Sequence, residues 1–271
     1  MNKSHTKITK VALDSISINV PLENNKILTE VLSRINSNDE IKTLWKVMNV
    51  NAIDRLGMTD HGPTHFQIVA SNGIALARLF EKGNVAFSIV TDFGLTNDYA
   101  ETVIFLGCVM HDLGMSIHRD GHEEFSLFLS NRLLQDILSF LPIEERVVVT
   151  SETLHAIIGH RSGGHPKTVE AGIVRFADAL DMVKGRSRVS YGRGELNIHS
   201  VSHHAIEGLA IEAGKDRPVE VKIHMSNPAG MFQVDDLMQE KLKDSGIEKY
   251  IKVSAYLTEN GKESLFKEFE F

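Results

Sequence analysis

Apolar positions repeat with a helical period over the first two thirds of the chain and with a strand period near its C-terminal end. Ile27, Leu28, Val31, Leu32 and Ile35 form one stripe at the spacing of a helix face. Ile41, Leu44, Trp45, Met48, Ala52 and Leu56 form a second, with Asn38 or Asp39 between the two as an N-cap. Before them, Ile16, Ile18 and Val20 alternate up to Pro21, which predicts an edge strand. Capping residues and Pro63 open a helix that Ile68, Val69, Ala75, Leu76 and Leu79 carry to about Phe80. Residues 82–97, with Gly83, Gly94 and Asn97, read as a loop suited to a lid or entry. Further helices are predicted over 99–113, from His122 to Ile137, from Pro142 to Ile158, and from Val169 to Leu180. Strands are predicted over 206–213, 219–225, 250–257 and 264–271, with a helix over 232–242.

This pattern predicts a mostly α protein with a small C-terminal α+β subdomain. An N-terminal extension spans residues 1–26, a helical domain 27–194 and an α+β module 195–271. The apolar run at 103–110 is too short to cross a membrane and reads as a buried helix segment. Residues 1–10 are polar and lack an apolar core, so no secretory signal is expected and the cytoplasm is the expected compartment. A net charge of -7 argues against nucleic-acid polymers and anionic membranes as partners. Cys108 is the single cysteine, which rules out an intrachain disulfide and a thiolate zinc site.

Histidine changes the picture. There are 13, and those at 61, 65, 111, 118, 122, 155, 160 and 165 lie in the helical domain. His111 and Asp112 stand side by side after the apolar run, and Asp178 and Asp181 lie in another apolar segment. A carboxylate at the end of a buried segment needs a partner or a metal to offset its desolvation. His61 and His65 share a face only if their helix begins before Gly62, so His65 is the firmer candidate and His61 a further one. His155 and His160 are about 140° apart on a helix, so one site uses one of them. His160, where the helix opens into a glycine loop, is preferred.

Imidazoles and carboxylates without thiolates suit one or two divalent transition metals: Mn, Fe, Co, Ni or Zn, with Mg a poorer match. No G-x-S-x-G element supports a covalent serine mechanism. Arg119 and Arg161 stand beside candidate ligands. Lys184, Arg186 and Arg188 follow Asp181, where they either clamp a phosphate or form a solvated helix end. His118 is placed to protonate a leaving oxygen. His199, His203, His204 and His224 lack ligand spacing and read as structural.

The ordered set His65, His111-Asp112 and Asp178 resembles the HD-domain metal-dependent phosphohydrolase superfamily. His65-Phe66-Gln67-Ile68-Val69-Ala70 is similar to its H-S-x-x-V-A segment, and His111-Asp112-Leu113-Gly114 to its H-D-I-G signature. Phe176-Ala177-Asp178-Ala179-Leu180 resembles the segment bearing the final aspartate. His122, and His160 in Ala156-Ile157-Ile158-Gly159-His160, resemble the extra ligands of dinuclear members. The resemblance covers about residues 60–190. Met115 stands where a lysine often follows the signature, Arg161 stands where a second consecutive histidine occurs in HD-GYP enzymes, and the G-Y-P element is absent.

The resemblance implies a helical bundle hydrolysing a phosphomonoester or phosphodiester, a nucleotide for preference, by metal-activated water. Asp112 would then be both ligand and catalytic group, and the partner a small phosphorylated substrate. Homodimerisation is open. The rival readings are a diiron oxygenase on the same ligands and a metal-holding regulatory module.

Overall fold

The computed structural model describes residues 13–161, 163–183, 202, 205–235, 240–259 and 261–269. Helix α1 (Lys26–Ser37) starts where the Asn25 side chain accepts the Leu28 N–H at 2.8 Å. Asn38 caps α2 (Asp39–Asn49) in the same way through the Ile41 N–H. A π-helical turn, Val50–Arg55, follows. Next come α3 (Pro63–Lys82), α4 (Ser88–Phe93) and α5 (Asn97–Met110), then a 3-10 turn, Leu113–Ser116. Then come α6 (His122–Ile137), α7 (Ile143–Gly159) and α8 (Val169–Ala179).

α5 is buried from Ala100 to Met110 on every side, as the unbroken apolar run requires. Around it pack α3, α7 and α8. Gly107 permits the close approach of α8, since a Cβ there would stand 2.8 Å from a Val174 methyl. A buried aliphatic side chain of this kind contributes roughly 1.5–3 kcal/mol.

Two expectations are corrected. Residues 82–97 are not an open loop: 88–93 form α4, Phe87 and Ile89 are buried, and the Glu170 carboxylate accepts the N–H groups of Ser88 and Ile89. That segment is fastened to α8 rather than free to act as a lid. Ile16, Ile18 and Val20 lie in no helix or strand and form no ladder among the described residues. Side-chain amides take the place of a neighbouring strand. Asn36 bonds both backbone groups of Ile18, and Gln67 bonds both of Asn19. Alternation alone does not distinguish these two ways of satisfying an extended backbone.

The C-terminal part is one sheet in the order β1 (Ile206–Ala213), β2 (Val219–Met225), β3 (Ile251–Glu259), β4 (Lys262–Phe269). β1–β2 and β3–β4 are antiparallel, whereas β2–β3 is parallel. Parallel neighbours need a crossover. Here it spans 226–250, and among its described residues are α9 (Gly230–Gln233) and α10 (Glu240–Leu242), at either end of the 232–242 segment predicted as a helix. Val219, Val221, Ile223 and Met225 of β2 alternate with Glu220, Lys222 and His224, so one sheet face is buried. The hydrophobic core is continuous from the helices to this face. Phe80 of α3 meets Tyr250 with ring centroids 5.5 Å apart. No helix among the described residues is long and apolar enough to cross a membrane.

Candidate metal centre

The last carbonyls of a helix have no intrahelical donor. At the end of α5 they are used locally. Trp45 donates its indole N–H to Val109 O at 3.1 Å, and His111 Nδ1 lies 3.0 Å from Cys108 O. At the end of α7, His160 Nδ1 lies 2.5 Å from Ile157 O. His122, the first residue of α6, has Nδ1 2.9 Å from Arg119 O, and His65 has Nδ1 2.6 Å from Asp181 Oδ2. Carbonyls and carboxylates only accept, so each Nδ1 carries the hydrogen. In the neutral ring, each Nε2 is then a bare lone pair.

These four Nε2 atoms converge on two carboxylates. Asp112 Oδ2 lies 3.8 Å from His65 Nε2 and 3.6 Å from His111 Nε2. Its other oxygen, Oδ1, lies 3.0 Å from His122 Nε2 and 3.5 Å from His160 Nε2. Asp178 Oδ1 is 3.6 Å from the Nε2 atoms of both His65 and His111. Three overlapping groups could each hold an ion: His65, His111 and Asp112; His111, His160 and Asp178; Asp112, His122 and His160.

The donor set fits divalent cations. His65 Nε2 and His111 Nε2 are 3.1 Å apart, and two bare lone pairs at that distance need a proton or a cation between them. The field agrees. Burial would raise the Asp112 carboxyl, yet His111, His122 and His160 outweigh it and hold it well below the usual range. Asp178, also raised by burial alone, is held well below by Lys241, His111 and His65. Burial lowers His111 and His122, but the facing carboxylates raise both on balance. His160 is lowered, with burial the largest cause. The field thus favours positive charge at His111 and His122 and disfavours it at His160.

Gly114 explains why the signature ends in glycine. A Cβ there would stand 1.9 Å from His122 O and 2.7 Å from Ser126 N. The Gly114 N–H donates to Ser126 Oγ at 2.8 Å, and that hydroxyl donates to His122 O at 2.8 Å. The backbone after Asp112 thus seats the start of α6, and with it His122.

The remaining candidates divide. His155 lies outside the cluster and accepts the Lys167 N–H at 2.9 Å. His61 has its ring 5.8 Å from that of His65, Nδ1 on Thr59 O, and a place in none of the three groups. His118 sits in an exposed turn and accepts the Asp120 N–H at 3.0 Å, with no bond to the cluster among the described contacts. The Arg119 guanidinium lies 3.2 Å from His122 Nδ1. Arg161 pairs with Glu124 at 2.8 Å at the surface. Lys184, Arg186 and Arg188 lie outside the described residues.

Two further residues join the site. Asp181 was visible as the partner of Asp178 three positions away, and the desolvation of a second carboxylate was the signal that it had a task. Lys241 had no local signal. It reaches from α10 to donate to His160 O at 2.5 Å and Asp178 Oδ2 at 3.3 Å.

A mostly helical protein whose helix ends gather histidines and aspartates around a cation-attracting pocket is thereby defined. Residues 80–183 match the HD domain family, a span that includes His111, Asp112, His122, His160 and Asp178 and begins after His65. The chain is also 38% identical over 219 residues to a protein of Methanocaldococcus jannaschii named Uncharacterized protein MJ1020, covering 80% of this chain and 85% of the relative. The chain belongs to the HD-domain family.

Proposed function

We propose that this protein is a metal-dependent phosphohydrolase that cleaves a small phosphomonoester or phosphodiester, with nucleotides the first substrates to test. The observation that supports this best is the division of Asp112, with one oxygen toward His65 and His111 and the other toward His122 and His160. Such a carboxylate is built to bridge two cations. His65, His111, Asp112 and Asp178 would hold one, and Asp112, His122 and His160 the other. When bound, divalent cations lower the pKa of a water and neutralise phosphoryl oxygens.

The chain's own residues prepare that chemistry. Cys108, Ile157 and Arg119 carbonyls and the Asp181 carboxylate fix each ring so that Nε2 faces inward. Arg119, beside His122, is placed to meet an anionic group entering from the exposed turn at 117–120.

Metal analysis of the purified protein, followed by a panel of nucleotides and phosphodiesters with Mn, Co, Ni, Zn and Mg, tests the reading. Metal-dependent phosphate release is the expected result. Metal that supports no ester cleavage would overturn it, and oxygen uptake by an iron-loaded form would replace it with oxidative chemistry on the same ligands.

A further inference from the structure

We infer that Lys241, supplied by the crossover of the C-terminal sheet, is an anion-binding residue of the metal centre that contacts a phosphoryl oxygen of the ligand. The inference rests on the phosphohydrolase reading above and deepens it.

Asp178 is shared between two neighbours. Oδ1 faces His65 and His111, whereas Oδ2 takes the Lys241 ammonium. The ammonium therefore stands one carboxylate width from the pocket. An ammonium has three donors. Two are directed to His160 O and Asp178 Oδ2, and the side chain keeps 16% exposure, so a third donor remains for a ligand.

The lysine is held in place from its own backbone. Arg175, buried and three residues before Asp178 on α8, donates to Lys241 O at 2.9 Å and to Glu240 O at 2.8 Å. The same guanidinium bonds Arg161 O at 3.2 Å and Gly164 O in the loop after α7. One side chain thus ties together α8, the loop that follows His160 and the segment carrying Lys241. A cation placed beside a site for cations is repelled by them. That repulsion is offset when an anion lies between, as a phosphoryl group bound by both does. A lysine meant only to neutralise Asp178 would duplicate what the metals do.

Metal-loaded Lys241→Met and Lys241→Arg proteins, compared with the wild type, provide the test. Inorganic phosphate binding is measured by calorimetry, metal retention by competition with a chelator, and folding by thermal melts. Loss of one charge-assisted contact should weaken phosphate binding about tenfold to a hundredfold in Lys241→Met. Lys241→Arg should recover part of it. Metal retention in Lys241→Met should equal or exceed that of the wild type, because a repelling charge is gone.

Unchanged phosphate affinity overturns the inference. Metal loss in step with phosphate loss also overturns it, since the lysine would then only orient Asp178. If Lys241→Met does not fold, Lys241→Gln, which still donates to His160 O, carries the same comparison. A wild-type protein that holds metal but binds no phosphate would instead refute the phosphohydrolase reading, and the lysine's role with it.

Discussion

The two halves of the centre share Asp112 but are built differently. His65 lies near the start of α3, His111 at the end of α5 and Asp178 near the end of α8, and Phe66, with Trp45 beyond it, stands behind the two rings. His122 and His160 sit at a helix start and a helix end, and His122 follows an exposed turn, residues 117–120. In the first half a carboxylate, Asp181, backs His65 and the Cys108 carbonyl backs His111, whereas both rings of the second are backed by backbone carbonyls. Core packing therefore fixes one half, whereas the other depends on how the turn after Asp112 seats α6. All four rings are buried; the half that rests on Phe66 and Trp45 (the deep half, for its backing) is expected to keep its cation, and the half seated by the turn (the shallow half) to exchange it.

The largest effect belongs to the residue the halves share. Asp112→Ala should lose both cations and lower any metal-dependent hydrolysis by about a thousandfold or more, equivalent to several kcal/mol of charge stabilisation. Metal analysis after gel filtration checks this. Retention of either ion at wild-type level would show that the halves do not depend on a common bridge.

Gly114→Ala separates them. The added methyl would stand 1.9 Å from His122 O, so α6 must move. Overpacking of this kind costs about 1–3 kcal/mol, so the melting temperature should fall. The shallow half should lose its cation while His65, His111 and Asp178 keep theirs, giving half the wild-type metal content. Equal loss from both would erase the distinction.

Most of this arrangement is legible in the sequence, for identifiable reasons. Helix faces such as Leu28, Val31, Leu32 and Ile35 bury as their spacing requires, and the β2 alternation maps directly onto one buried sheet face. His65, His111, Asp112 and Asp178 were visible because buried polar residues among apolar runs need a reason. What stayed hidden depends on distant partners. Nothing near Ile16, Ile18 and Val20 says that Asn36 and Gln67 will satisfy their backbone. Nothing near Ser88 foretells the Glu170 carboxylate that caps α4. The direction of β3 beside β2 is equally a matter of the crossover, and Lys241 lies within that crossover.

Asp181→Asn probes the deep half alone. The carboxylate accepts from His65 Nδ1 at 2.6 Å and so raises the basicity of Nε2. An asparagine oxygen can accept the same hydrogen without the charge. Metal affinity at the deep half should fall about tenfold to a hundredfold, with the shallow half unchanged. Chelator competition with a single metal resolves the two phases. A uniform decrease would mean that the halves are coupled more tightly than their separate supports suggest.

The smallest effect is the response of the chelator-treated protein to acid. Asp112 and Asp178 both have carboxyls held well below the ordinary value of 3.8, in each case against burial. A depressed folded value means that the ionised form is favoured by the fold. The stability this contributes is present above pH 3.8 and is lost as pH falls through the lower folded values. Thermal melts should therefore drop as pH falls below 3.8, down to the folded values. The supports differ: Asp178 is held by Lys241, His111 and His65, whereas Asp112 is held by His111, His122 and His160. Asp178→Asn should remove only the deep-half part of the slope, leaving the part that Asp112 shares with the shallow half. A slope unchanged by that substitution would place the acid sensitivity outside Asp178 and leave Asp112, common to both halves, as its source.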